Sequence, residues 1–108
     1  MSSSRLEALM KFLEEDPTDS FTLYAIALEH ASVNNLSEAI VKLRELIVLD
    51  PNYVPAYQQL GSFLKQAGKI DEALEALERG IQRAALTGDK HAQNEMQEAI
   101  DELEESSG

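Results

Sequence analysis

The sequence predicts an all-α protein, a stack of about six helices paired as hairpins with a capping helix at each end. Three observations carry that expectation. Apolar residues recur at helical spacing, as in Tyr57, Leu60, Phe63 and Leu64, and again in Ala73, Leu74, Leu77 and Ile81. Between these runs stands Gly68, which reaches a positive φ without steric cost and so ends a helix. The whole pattern also has an image 34 residues upstream: Leu77 falls on Leu43, Ile81 on Ile47, Ala73 on Ala39 and Gly68 on Asn34. Asparagine is the residue after glycine that best tolerates the left-handed turn. Asp50-Pro51 likewise falls on Asp16-Pro17. A self-match at such a period marks stacked helical units.

The first helix opens at Ser3 or Ser4, and Ser4 with Glu7 has the spacing of a capping box. Leu6, Leu9, Met10 and Leu13 form its apolar stripe, which Phe12 broadens. Leu9 and Leu13 fall on Leu43 and Ile47 at the repeat offset. This helix therefore reads as the second helix of a hairpin whose first is absent, and is expected to cap the stack. Asp16-Pro17 ends it, because proline cannot continue a helix and restricts the residue before it.

Asp19 or Thr18 is placed to cap the next helix, Ser20 to Val33. Phe21, Leu23, Tyr24, Ile26, Ala27, Leu28 and Ala31 cover more than one of its faces, so it must be buried or present a binding surface. Asn34-Asn35 makes the turn, and Ser37 is expected to cap Glu38 to Leu49, where Ala39, Ile40, Leu43, Leu46 and Ile47 face inward. Asp50-Pro51-Asn52 closes this unit. In the next, Pro55 lies in the first helical turn, where its missing N–H costs nothing. Asp71 is expected to cap its second helix. Thr87-Gly88-Asp89 breaks the chain. A last helix, Asp89 to Glu105, sets Ala92, Met96, Ala99, Ile100 and Leu103 on one side after a one-residue insertion in the period. Its other side, with Glu95, Glu98, Asp101, Glu102 and Glu105, is polar, as an end cap requires.

These units resemble the tetratricopeptide repeat (TPR) family, helix–turn–helix units of about 34 residues. The later repeat carries the signature best: Tyr57 at the large aromatic position, Leu60-Gly61 as the Leu-Gly pair, Ala73 at the small position. Leu64 and Leu77 replace aromatic residues there, and Gly80 replaces a second alanine. The earlier repeat is weaker, with Leu23, Ile26-Ala27 and His30 at the first-helix positions, but Ala39, Leu43 and Pro51 agree. The resemblance implies a right-handed helical-hairpin solenoid and divides residues 1–108, a single domain, into an N-terminal cap (3–17), repeats over 20–53 and 54–87, and a C-terminal cap (88–105). It also implies a non-enzymatic interaction scaffold that binds a protein or peptide in a groove lined by the first helices. The groove positions are Phe21, Tyr24, Leu28 and Ala31, then Gln58, Ser62 and Lys65, with Met96 or Ala92 added from the last helix. The family branch that grips chaperone tails uses groove Lys, Arg and Asn. Here Tyr24, Leu28 and Gln59 stand at the matching places, with Asp89 or Lys90 and Gln93 or Asn94 at the end; the first-repeat Lys and Asn are missing, so that specificity is not expected.

Composition sets limits on partners. The net charge is −11 and the pI is near 4.4, which disfavours nucleic acid and anionic membrane surfaces. From Asp89 onward there are seven acids and one base, a density that either attracts a basic partner or simply solubilises the end. The chain has no cysteine, so disulfides and thiolate chemistry are out. No apolar run approaches a bilayer span, and Glu7 interrupts the apolar stretch a secretory signal would need, so the cytoplasm is the expected compartment.

Chemistry is not specified. There is no phosphate-binding loop, nucleophile motif or metal signature, and no cofactor is expected. His91 and Glu95 lie one helical turn apart, but a zinc site needs three or four protein ligands and no third is evident. His30 takes a core-facing position and is expected to pack rather than to act as a base. The competing reading is a self-associating module, a homodimer formed through the apolar excess at Phe21 to Leu28.

Overall fold

Helices account for almost all of the computed structural model, which describes residues 4–107. They are α1 (Ser4–Glu15), α2 (Ser20–Ser32), α3 (Leu36–Leu49), α4 (Val54–Gln66), α5 (Ile70–Thr87) and α6 (Lys90–Ser107). Among the described residues there are no strands. Each helix packs chiefly against its neighbours in sequence, so the chain is an all-α helical repeat. Ser3, one of the two expected starts of α1, lies outside the described residues.

The turns follow from left-handed residues at the repeat offset. Gly68 has φ 79° and Asn34 has φ 65°. At each, two bonds close the preceding helix. The Gly68 N–H donates to the Lys65 carbonyl (3.0 Å) and the Lys69 N–H to the Leu64 carbonyl (2.8 Å). The Asn34 N–H donates to Ala31 (3.1 Å) and the Asn35 N–H to His30 (2.8 Å). Gly88, at φ 75°, repeats the arrangement at the end of α5, with the Asp89 N–H on the Ala84 carbonyl at 2.8 Å. Carbonyls left over at a helix end are thereby satisfied.

This closure corrects two expected caps. Ser37 and Asp71 do not cap α3 and α5, which begin at Leu36 and Ile70 after Asn35 and Lys69, neither of which makes a side-chain cap bond. The residue that completes the turn is already the last before the next helix. The carbonyls of Asn35 and Lys69 accept from Ala39 (3.2 Å) and Ala73 (3.0 Å), and Ser37 and Asp71 fall inside the first turn. There the Asp71 charge still complements the helix dipole. The expected cap of α2 holds, and Asp89, expected inside the last helix, caps it instead. Asp19 Oδ2 accepts from the Thr22 N–H at 2.9 Å and the Thr22 hydroxyl at 2.5 Å, and Asp89 Oδ1 accepts from the Ala92 N–H at 3.1 Å.

The core is one continuous cluster along the stack, with Leu43, Leu46, Tyr57, Leu60, Leu64 and Met96 among its fully buried large members. Small residues stand where helices meet. Ala39 and Ala73 are wholly buried. A Cβ on Gly61 would stand 2.7 Å from Leu77 Cγ, and a Cβ on Gly80 would meet Met96 Sδ at 2.5 Å and Tyr57 Cβ at 2.6 Å. One polar tie closes the α2–α3 hairpin on itself, the Ser20 hydroxyl donating to Asp50 Oδ2 (2.6 Å), and another links it to the next, the Tyr57 hydroxyl donating to the Pro51 carbonyl (2.7 Å).

α1 departs from the expected packing. None of its residues is buried; Leu6, Leu9 and Leu13 are half-buried, while Met10 is exposed and Phe12 is 62% exposed. Phe12 falls on Leu46 and Gly80 at the repeat offset, and both of those are buried. The difference is that α3 and α5 each follow a first helix in their own hairpin, which at Gly80 supplies Tyr57 to the cover beside Met96 of α6. Among the described residues, α1 has none.

Gly80→Ala is expected to lower stability by ~1–3 kcal/mol through overpacking, and Ala73→Leu by a similar amount, both read by urea denaturation. Gly88→Ala, whose Cβ meets nothing within 4 Å, should cost only the left-handed strain of ~1–2 kcal/mol. The Thr22 hydroxyl and then the Thr22 N–H hold the Asp19 carboxyl below its ordinary range. A depressed carboxyl stabilises the fold above its unfolded pKa, and the gain is lost as pH falls through the folded one. Asp19→Ala should therefore melt earlier than the parent at neutral pH, and the two curves should converge in strong acid.

Candidate functional site

Two neighbouring regions on the first helices contain the expected groove residues. On α2, Phe21 projects with 69% of its surface exposed. One turn along, Tyr24 is half-buried and stacks on Tyr53, with ring centroids 5.4 Å apart and planes at 26°. Tyr53 immediately precedes α4, so this stack joins one hairpin to the next. Burial, then the charges near it, raise the Tyr53 hydroxyl above its usual pKa. Leu28 and Ala31 continue the line, half-buried against the core. The other faces of α2 are buried through Leu23, Ile26, Ala27 and His30. An all-round apolar helix is thus explained by core contact on most faces and an exposed aromatic on one.

On α4, Gln58, Ser62 and Lys65 are brought together. They line a cleft of ≈140 Å³ whose far wall is Ala99, Glu102 and Leu103 of α6. The Gln58 side-chain amide reaches Glu95 Oε1 at 3.5 Å, and the Gln66 amide reaches Ser62 Oγ at 3.4 Å. This half is polar, with a cation and a carboxylate on facing walls.

Met96 does not belong with these residues. It is 1% exposed and fills the space that Gly80 leaves opposite it on α5. Ala92 is buried with it. A glycine where the repeat pattern has alanine makes room for one large side chain, and methionine, with its flexible thioether, takes it. The α6 contribution to the cleft comes from Ala99 and Glu102 instead. The sequence reading missed these two and Tyr53. For Ala99 and Glu102 the signal was present, since they lie three and six positions beyond Met96 on the flank of the same helix. For Tyr53, in the turn between hairpins, the helical period gave none.

The histidines differ in setting. His30 is buried, and neither ring nitrogen has a hydrogen-bond partner among the described residues. His91 is exposed, with Nε2 3.1 Å from Glu95 Oε1. Among the described residues, no helix is long and apolar enough to cross a membrane.

Comparison with known proteins places this geometry. Residues 43–75 match the family model of the tetratricopeptide repeat. The "TPR repeat-containing protein PA0015" of Pseudomonas aeruginosa is 28% identical over 91 residues, spanning 84% of this chain and 87% of that protein. The crystal structure of a tetratricopeptide repeat domain protein from Salinibacter ruber is 35% identical, with a TM-score of 0.75 over 80% of this chain and 96% of its own. The TPR2B domain of yeast Sti1, solved in complex with pHsp70, shares the fold at a TM-score of 0.86 and 21% identity, over 94% of this chain and 81% of its own. The chain belongs to the tetratricopeptide repeat family, whose fold is a protein–protein interaction module.

Proposed function

We propose that the protein is a non-enzymatic adaptor of the cytoplasm that binds a peptide or protein segment along the inner groove formed by α2, α4 and the flank of α6. The observation that carries this reading is Phe21, a large aromatic side chain left mostly exposed beside the Tyr24–Tyr53 stack. An aromatic anchor of this kind supplies much of the affinity in peptide recognition. The stack holds Tyr24 in one orientation, which lowers the entropy lost on binding.

The two halves of the groove favour a bipartite ligand. An apolar residue would sit at Phe21 and Tyr24, and a basic residue would face Glu102 and Glu95 at the α6 end. Lys65 and Glu102 together offer partners for a backbone amide or a polar side chain. The yeast Sti1 domain, solved with a bound partner, supports peptide capture on this architecture. Its ligand class is not carried over, because the first-repeat Lys and Asn of a carboxylate clamp are missing and Tyr24 and Leu28 stand in their places.

A second reading rests on the same exposed aromatic: Phe21 and its neighbours up to Leu28 would pair with a second copy. Sedimentation velocity separates the two, since only self-association gives a concentration-dependent mass that Phe21→Ala abolishes.

Phe21→Ala should leave the melting temperature unchanged, because little of that side chain is buried, and should weaken peptide binding by ~1–2 kcal/mol in titration calorimetry against a selected ligand. Tyr24→Ala should weaken binding and also lower stability, because the stack is lost. Ligands selected from a peptide library whose affinity ignores both substitutions would remove the inner-groove reading.

A further inference from the structure

The opposite side of the stack carries a second surface with different chemistry. Between α3 and the α4–α5 hairpin run two depressions of ≈500 Å³ and ≈220 Å³, and Arg44 lines both. Val41 and Val48 lie on the same face of α3, seven residues apart, and are 45% and 80% exposed. Lys69 and Arg79 complete the charged lining. No acidic residue lines either depression, although acids outnumber bases 20 to 9 in the chain. Apolar side chains exposed beside segregated cations are what an acidic, partly apolar ligand complements.

We propose that this trough is a docking surface for an acidic amphipathic peptide segment, with aliphatic side chains on Val41 and Val48 and carboxylates on Arg44, Lys69 and Arg79. The proposal is independent of the inner groove. Arg44 already bonds Glu72 at 2.9 Å, but both side chains are about half exposed, and such a pair contributes little. A guanidinium also has five N–H donors, so it accepts a second carboxylate. Arg79 lies with its guanidinium carbon 5.8 Å from the centre of the Tyr57 ring, which orients it without using up its donors. An extended anionic surface such as a membrane would meet the rest of a chain of net charge −11 and be repelled, whereas a short segment meets the trough alone.

The test uses the full chain and a fluorescein-labelled synthetic helix of 18 residues, about five turns, with leucines on one face and glutamates beside them. Fluorescence anisotropy should show the glutamate peptide binding at least about tenfold tighter than a lysine version, with affinity falling as salt rises. Val48→Asp and Lys69→Glu, both at exposed sites, should each weaken it by roughly tenfold with unchanged circular dichroism, and Phe21→Ala should not. The proposal is overturned by any of several results: no binding, equal binding of the lysine peptide, indifference to Val48→Asp, or loss of binding in Phe21→Ala. It is also overturned if phosphatidylserine vesicles bind in a Val48-dependent way while the peptide does not. A dimer broken by Val48→Asp in sedimentation would instead assign the trough to a second copy of the chain.

Discussion

The packing of α4, α5 and α6 depends on close approaches at residues with no side chain at all. Ala39 and Ala73, at matching places in successive units, are wholly buried. Gly61 and Gly80 make the close approaches, where even a Cβ would overlap Leu77, Met96 or Tyr57. Packing at this density ties residues far apart in the stack. The missing side chain at Gly80 sets the place of Met96 on α6, which in turn fixes the rotation of α6 about its axis. That rotation decides which α6 residues, Ala99 and Glu102, face the cleft beside Gln58 and Ser62. The lining of this cleft follows from volume exchange in the core.

The helices and their order were legible because two local signals agreed. The apolar period located each helix, and Gly68 and Asn34, 34 residues apart, located the turns and took the left-handed conformation expected of them. The caps at Ser37 and Asp71 were misplaced because the closure of one helix and the start of the next overlap in Asn35 and Lys69, and a capping preference treats the two as separate events. The exposed state of Phe12 was illegible for another reason. Helical spacing gives the direction of a side chain but not whether a neighbour exists to cover it. Met96 illustrates the converse: its direction was right, but the absence of a side chain on another helix turned a surface position into a core one. Of the residues expected to line a groove, Gln58, Ser62 and Lys65 share one cleft because their spacing puts them on one side of α4, whereas the Tyr24–Tyr53 stack needed the three-dimensional relation between hairpins.

The two faces of the stack divide the polar work. The inner cleft mixes Lys65 with Glu102, and the α6 surface beside it is densely acidic. The outer trough presents Arg44, Lys69 and Arg79 around exposed valines. A net charge of −11 describes neither face. Such a charge keeps molecules apart in solution, and it leaves local complementarity to be set by which residues line each depression.

Because α1 touches chiefly α2, α2 chiefly α3, and so on to α6, the molecule is mechanically a line. Contacts close in sequence cost little loop entropy to form, which favours rapid folding. The reverse process is directional. α1 buries no side chain completely, so it has the least packing to lose and is the helix expected to open first under tension, protease or heat.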